Sequence, residues 1–344
     1  MAAKISLAQI VQKIQTGALT DQDKRQYFVV EPDPARPMNF RIFVNAENVD
    51  IAGLERLAQN ADPLFASITR HGRGKHKGKA TKGGASARYI VAKGDSWFRL
   101  PHFPGIPGTM IDVLQEQDTT DTIVNLAHWG DTLADMLQSG DFWQYVDADY
   151  DLLLFSAGGN DILGGGNLAS MLNLFDPGHT KASDALYYIK PAFYTQLAAV
   201  VANLESGLIA PLKNRRKKTQ IVMHGYDYVA PFPNGPWIGG PMAQNGLNVQ
   251  DYQPLCLAIV RCMIDAYNAS LAGLAAKYPT LFHYLDLRGT VAANGWWIEM
   301  HAKEAGAQSY ETKLKALIDK VDASPHLQAR RRLYAPVAAP VRAA

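Results

Sequence analysis

Cysteine is scarce in this chain of 344 residues: there are two, Cys256 and Cys262. Two thiols cannot build a disulfide framework or a zinc site of cysteine alone. Six residues apart on a helix, they point to different faces. Both therefore read as reduced core residues, and a reducing compartment is the expectation. Long apolar runs are missing too, and no window of 18 or more residues reads as apolar enough to span a bilayer. The opening MAAKISLAQIVQKIQTGALT interrupts its apolar spacing with charged and polar residues, so it lacks the unbroken core of a secretory leader. Its Ile5, Ile10, Val11 and Ile14 fit a short amphipathic helix instead. A cytoplasmic location is the default expectation, with leaderless export left open.

A large charge excess is also absent. Lys plus Arg total 34 against 32 for Asp plus Glu, a net charge of +2. A chain built mainly to coat nucleic acid would carry more. The 47% hydrophobic and 19% charged residues exclude disorder, collagen and coiled coil as the main architecture. No H-E-x-x-H, paired-cysteine motif, acidic calcium loop or Walker A sequence occurs. Gly164, Gly165 and Gly166 read as a flexible loop rather than a phosphate cradle. Neither a metal nor a cofactor is expected.

What is present divides the chain into three. Residues 1–85 hold a short helix, strand-like RQYFVVEP and FRIFV, and a helix-like stretch near GLERLAQ. They end in RHGRGKHKGKATKGG, which carries Arg70, Arg73, Lys75, Lys77, Lys79 and Lys82 and no acid. Without apolar periodicity, this segment reads as a basic loop. It is either a solvated linker or, through residues 70–82, an arm for an anionic surface such as phospholipid headgroups, nucleic acid or a polyanionic glycan. It has no interleaved aromatics for reading bases. Residues 86–322 change rhythm. Short runs that are apolar on both faces (RYIVAK, TIVNLA, YDLLLFSA, TQIVMHG and LFHYLDL) alternate with amphipathic stretches around 131–138, 186–212 and 251–277. That alternation predicts a three-layer α/β/α sandwich on a five-stranded, mostly parallel sheet of flavodoxin-like type, with a small N-terminal extension. Residues 323–344, rich in Ala, Pro and Arg, read as a disordered or draped tail.

In such a sheet, chemistry sits on loops after the strands' carboxyl ends. The first run is followed by Gly94-Asp95-Ser96-Trp97, the second by His128-Trp129-Gly130-Asp131-Thr132 and the third by Gly158-Gly159-Asn160-Asp161. The fourth is followed by His224-Gly225-Tyr226-Asp227-Tyr228, and the fifth leads through two tryptophans to Glu299-Met300-His301. A serine hydroxyl needs a base to act as a nucleophile, and histidine is the usual one. A tetrahedral oxyanion needs preorganised donors, which glycine N–H groups and an asparagine amide supply. Glycine also lets the backbone approach substrate closely.

These residues resemble the SGNH, or GDSL-type, hydrolases over residues 88 to about 320. Gly94-Asp95-Ser96 matches the family's first block. The stretch from Asn125 to Thr132, with Gly130, matches the second. Gly158 to Asp161 matches the third, and Ile298-Glu299-Met300-His301-Ala302 the fifth. Four blocks in order, each after a predicted strand, are a specific signal. The G-x-S-x-G elbow of α/β-hydrolases is absent, which disfavours that neighbouring class. The resemblance implies a carboxylic-ester hydrolase with Ser96 as nucleophile and His301 as general base. It implies an oxyanion hole of the Ser96 and Gly130 N–H groups and the Asn160 side chain. Asp95 and Asp161 would shape their turns.

The departure is at the acid. Where the family places Asp, three residues before the histidine, this chain has Ile298. Glu299, Asp227, Asp286 or a backbone carbonyl would have to orient the imidazole instead. His102 and His128 are candidate pocket residues. The Pro/Gly-rich loop after the fourth strand reads as a candidate lid, with Tyr226, Tyr228, Phe232 and Trp237 either walling the pocket or packing the loop down. Trp97, Trp129, Trp296 and Trp297 flank the site. Aromatics suit an acyl chain or a sugar face equally. The expected substrate is a small-molecule or lipid ester: a lipid or phospholipid acyl ester first, a small acyl ester or glycan O-acetyl ester next. The rival from another class is a non-catalytic binding protein on a degenerate hydrolase fold.

Overall fold

The computed structural model describes residues 4–16, 18–32, 40–50, 88–118, 120–148, 150–164, 167–215 and 219–322. The helix expected near GLERLAQ, the basic loop 70–84 and the tail 323–344 lie outside the described residues.

The N-terminal part has its own small core. Strand β1 (Ile5–Ser6) leads into helix α1 (Leu7–Gln15), where Ser6 and Gln9 form a reciprocal capping box. Helix α2 (Asp21–Tyr27) starts on a similar Thr20–Asp23 box. Strands β2 (Phe28–Pro32) and β3 (Phe40–Val44) pair antiparallel, and β4 (Val49–Asp50) lies parallel to β1. Ile10, Ile14, Phe28 and Val49 form a buried cluster separate from the main core. Phe40 leaves that cluster and packs into the main one.

The rest is built on one parallel sheet. Its strands are β5 (Tyr89–Lys93), β6 (Thr122–Asn125), β7 (Leu152–Phe155), β8 (Gln220–His224) and β9 (Phe282–Leu285), in the order β6-β5-β7-β8-β9. Every adjacent pair is parallel. The α/β sandwich expected from the apolar runs is therefore what the chain forms. Strands β7 and β8 are buried at every residue, as central strands covered on both faces must be. The edge strand β6 is only half-buried.

Helices α3 (Met110–Gln117) and α7 (Glu304–Asp322) pack together in one layer. Helices α4 (Leu133–Ser139), α5 (Pro191–Leu204) and α6 (Val249–Lys277) pack in the other, α4 and α6 both touching α5. By length and composition α6 could cross a membrane, so the expectation that no window is apolar enough was wrong. In the fold it packs against β9 and α5 and buries Leu255, Ile259, Met263 and Leu271. Cys256 is fully buried on this helix and Cys262 is half-buried, both as free thiols. Burial pushes the Cys256 thiol up to about 11.

The strand order fixes where chemistry can occur. After β5 the chain crosses to β6 on one side and then to β7 on the other. A crevice opens at such a reversal, at the strands' carboxyl ends. Serine, glycine and asparagine blocks leave from these three neighbouring strands.

Candidate active site

Gly94 follows β5 directly, and a Cβ there would lie 2.8 Å from the Ser156 Cβ and 2.9 Å from the Phe98 ring. No side chain fits, so the turn begins on glycine. The carbonyl of Asp95 then accepts from Phe98 and Arg99 N–H, closing a tight turn around Ser96. The carboxylate of Asp95, 1% exposed, accepts from Trp97 N–H, Ser156 Oγ and Tyr226 Oη.

Side chains knit the next two blocks to this turn and to each other. Asn125 donates from Nδ2 to the Phe98 carbonyl at 2.9 Å. His128 N–H donates to the Gly94 carbonyl. Gly130 has φ +84°, a conformation that favours glycine. Asn160 is buried and donates from Nδ2 to the Asp131 carbonyl at 2.7 Å, while its Oδ1 has no partner. An amide NH₂ carries two hydrogens. One holds the Gly130–Asp131 turn, and the other is not used by that bond. Asp161 accepts from Leu133 N–H at 2.9 Å, and burial raises its carboxyl above the usual range.

His301 comes from a small antiparallel pair, β10 (Trp296–Ile298) and β11 (His301–Ala302), in which Ile298 stands opposite His301. Ser96 and His301 line one small cavity with Leu100, Gly108, Met300 and Tyr310. They are not hydrogen-bonded to each other. Ser96 is 0% exposed and His301 5%. Among the described residues, Ser96 Oγ and both His301 ring nitrogens are buried without a hydrogen-bond partner. Burial alone pushes the imidazole down to about 3, so it is neutral at ordinary pH. Buried polar atoms are nearly always paired, so three unpaired ones on two residues lining one cavity single it out as the candidate site.

None of the four stand-ins for the missing acid reaches His301. Glu299, 1% exposed, accepts from the backbone N–H groups of Phe232, Trp237, Ile238 and Gly239 at 2.7–3.0 Å. Asp227 accepts from the N–H groups of Tyr228, Gly289 and Val291 and from Tyr310 Oη. Asp286 pairs with Arg288. No backbone carbonyl holds the ring either. The imidazole sits between aromatic rings instead: Trp237 at 6.1 Å edge-on and Phe40 at 6.4 Å. Phe40 also stacks on Trp297.

The loop after β8, read above as a candidate lid, is tied down at one point of its length. Glu299 fastens it through four amides, and a Cβ on Gly235 or Gly239 would collide with that carboxylate or with the Phe232 carbonyl. Trp237 and Tyr228 pack or bond within the protein. From this loop Tyr226, Val229 and Ile238 line a second, small apolar cavity, together with Ile162, Phe193 and Met263. Trp97 and Met300 line both cavities, so the two adjoin. Trp129 and Trp296 are core residues. Neither His102 nor His128 lines either cavity: His102 Nε2 lies 3.6 Å from Asp112, and His128 stacks on Trp129. His224 is buried between Trp97 and Phe98, and burial lowers its pKa. Among the described residues, no three His, Cys, Asp or Glu side chains converge as a metal site would need.

Sequence reasoning missed Phe40, which gives no local signal: it is one aromatic in an alternating strand, and only the fold brings it to residue 301. It also missed the amide nest around Glu299, whose sequence signal was the run of glycines in the loop.

No family model matches the sequence, and no curated protein does. Among solved structures, an extracellular lipase from Streptomyces rimosus is 17% identical, with a TM-score of 0.40 over 67% of this chain and 99% of that one. Phospholipase A1 from Streptomyces albidoflavus NA297 is 16% identical, with a TM-score of 0.40 over 67% and 99%. A carbohydrate acetylesterase family member from Sinorhizobium meliloti is 13% identical, with a TM-score of 0.44 over 68% and 98%.

Proposed function

We propose that the chain is a serine hydrolase of carboxylic esters. The observation that carries this reading is the shared cavity of Ser96 and His301 with its three unpartnered polar atoms. A neutral imidazole has a free lone pair to take the Ser96 proton as Oγ attacks the ester carbonyl. The resulting oxyanion is met by the N–H groups of Ser96 and Gly130 and the second hydrogen of Asn160 Nδ2. On collapse, the C–O bond to the alcohol breaks and His301 returns the proton to the departing oxygen. Water, deprotonated by His301, then attacks the acyl-Ser96; the acyl C–Oγ bond breaks, His301 returns the proton to Oγ, and the acid leaves.

The adjoining apolar cavity favours an acyl chain, as in a lipid or phospholipid ester, over a bare acetyl group. Its 14 lining residues present no charged group, as the surroundings of an acyl chain should not. A glycan O-acetyl ester is the alternative, and hydrolysis rates of p-nitrophenyl acetate against longer acyl esters separate the two. Steep preference for acetate defeats the lipid reading. A fluorophosphonate should label Ser96 and fail on Ser96→Ala. If wild-type protein is not labelled and hydrolyses no ester, the chain is instead a binding protein on this fold.

A further inference from the structure

We propose that Tyr226 is a positioning residue for this reaction, its phenol setting the nucleophile turn against the turn that bears Asn160. The inference rests on the roles given above to Ser96 and Asn160. Acyl transfer needs the attacking oxygen and the oxyanion donors arranged around one carbonyl, each about 3 Å from its target. Ser96 and Asn160 stand on turns that follow the adjacent strands β5 and β7. The backbone ladder between those strands ends with Ser156 N–H donating to the Lys93 carbonyl at 3.1 Å. Beyond that bond, side chains must hold the turns in register.

The Tyr226 hydroxyl spans them. It donates to Asp95 Oδ2 at 2.7 Å and accepts from Gly159 N–H at 2.9 Å. Asp95 immediately precedes Ser96, and Gly159 immediately precedes Asn160. A hydroxyl is suited to this because it donates and accepts at once. The approach is also close: a Cβ on Gly159 would stand 2.9 Å from the phenol. Tyr226 is itself held. Its carbonyl accepts from Asn268 Nδ2 at 3.0 Å, and its ring packs on Trp97 at 5.1 Å and Tyr267 at 5.2 Å. Tyr267 braces the far side of the same turn by donating to the Ala157 carbonyl. A second link, from Ser156 Oγ to Asp95 Oδ1 at 2.7 Å, stops short of Gly159 and Asn160. Tyr226 acts through two backbones, and its effect should fall on the rate of the chemical step rather than on substrate binding.

Tyr226→Phe keeps the ring and removes both hydrogen bonds. On a p-nitrophenyl ester, kcat per active site, titrated with fluorophosphonate, is expected to fall about 30- to 100-fold with KM changed less than about threefold. Asp95→Asn keeps the shape but weakens the phenol's acceptor, and it carries the test if Tyr226→Phe does not fold. Its kcat should fall about three- to tenfold. A kcat within about threefold of wild type for Tyr226→Phe, or for Asp95→Asn where only that variant folds, overturns the proposal. So does a rise in KM at unchanged kcat, which would make Tyr226 a cavity wall only. Wild-type protein without turnover that depends on Ser96 removes the hydrolase reading and this proposal together. Ser96-dependent turnover with indifferent variants removes the proposal alone.

Discussion

If the missing acid limits this site, restoring it should accelerate it. Ile298 stands opposite His301 in the β10–β11 pair, and directly opposed residues have Cα atoms about 4.5–5.5 Å apart. An aspartate at 298 would put a carboxylate within reach of a ring that now has no hydrogen-bond partner. Burial holds the imidazole at about 3, so forming the imidazolium during the reaction is costly. A carboxylate that close raises a pKa by about 1–3 units. The converse change in a serine protease, disabling the orienting acid, costs about 10⁴-fold. Ile298→Asp should therefore raise kcat/KM on p-nitrophenyl esters by about 10²- to 10³-fold and shift the acid limb of its pH profile upward. Removing a half-buried isoleucine should cost about 1–3 kcal/mol of stability. Ile298→Asn, of similar shape but uncharged, should show the stability loss without the gain in rate. The deciding measurement is kcat/KM against pH for the three proteins, each with its melting curve. Folded Ile298→Asp protein with wild-type rate and an unmoved acid limb would refute the reasoning.

Two further outcomes are expected. His301 is buried neutral, so below its unfolded pKa of about 6.5 the unfolded chain binds a proton that the folded chain refuses. This contribution is complete above about 6.5 and is lost at about 1.4 kcal/mol per pH unit as pH falls toward about 3. His301→Gln should lack that part of the slope in urea denaturation between neutral and mildly acidic pH, and parallel curves would disprove it. Phe40→Ala should uncover one side of the His301 ring and speed fluorophosphonate labelling of Ser96 about tenfold or more, from the loss of one buried ring. Labelling at the wild-type rate would mean that Phe40 does not limit access.

The sheet was legible because central parallel strands must be apolar on both faces, and LLLF and QIVMH are buried throughout. Strand order then accounts for why blocks separated by tens of residues meet at one crevice. The partners of the acids were not legible. Glu299 looks like a spare catalytic carboxylate beside a histidine, yet it is fully used by four amides whose geometry depends on loop glycines. Helix α6 shows another limit: a long helix sandwiched between a sheet and its neighbours needs an apolar composition, which hydropathy cannot distinguish from that of a span. Phe40 is hardest of all, because a contact across 261 residues of sequence leaves no trace in local pattern.

That contact also changes what counts as the smallest working piece. The sheet, its helices and the serine, asparagine and histidine blocks all fall within residues 88–322. A protein trimmed to that stretch would keep every residue assigned to bond making, yet it would bare Trp237, Trp297 and the imidazole where Phe40 now lies. Its surface would gain a sticky aromatic patch, and its histidine would become wetter, easier to protonate and freer to rotate. The edge of the sheet-bearing stretch and the edge of the His301 surroundings thus differ, and Phe40 from the N-terminal part belongs to the second.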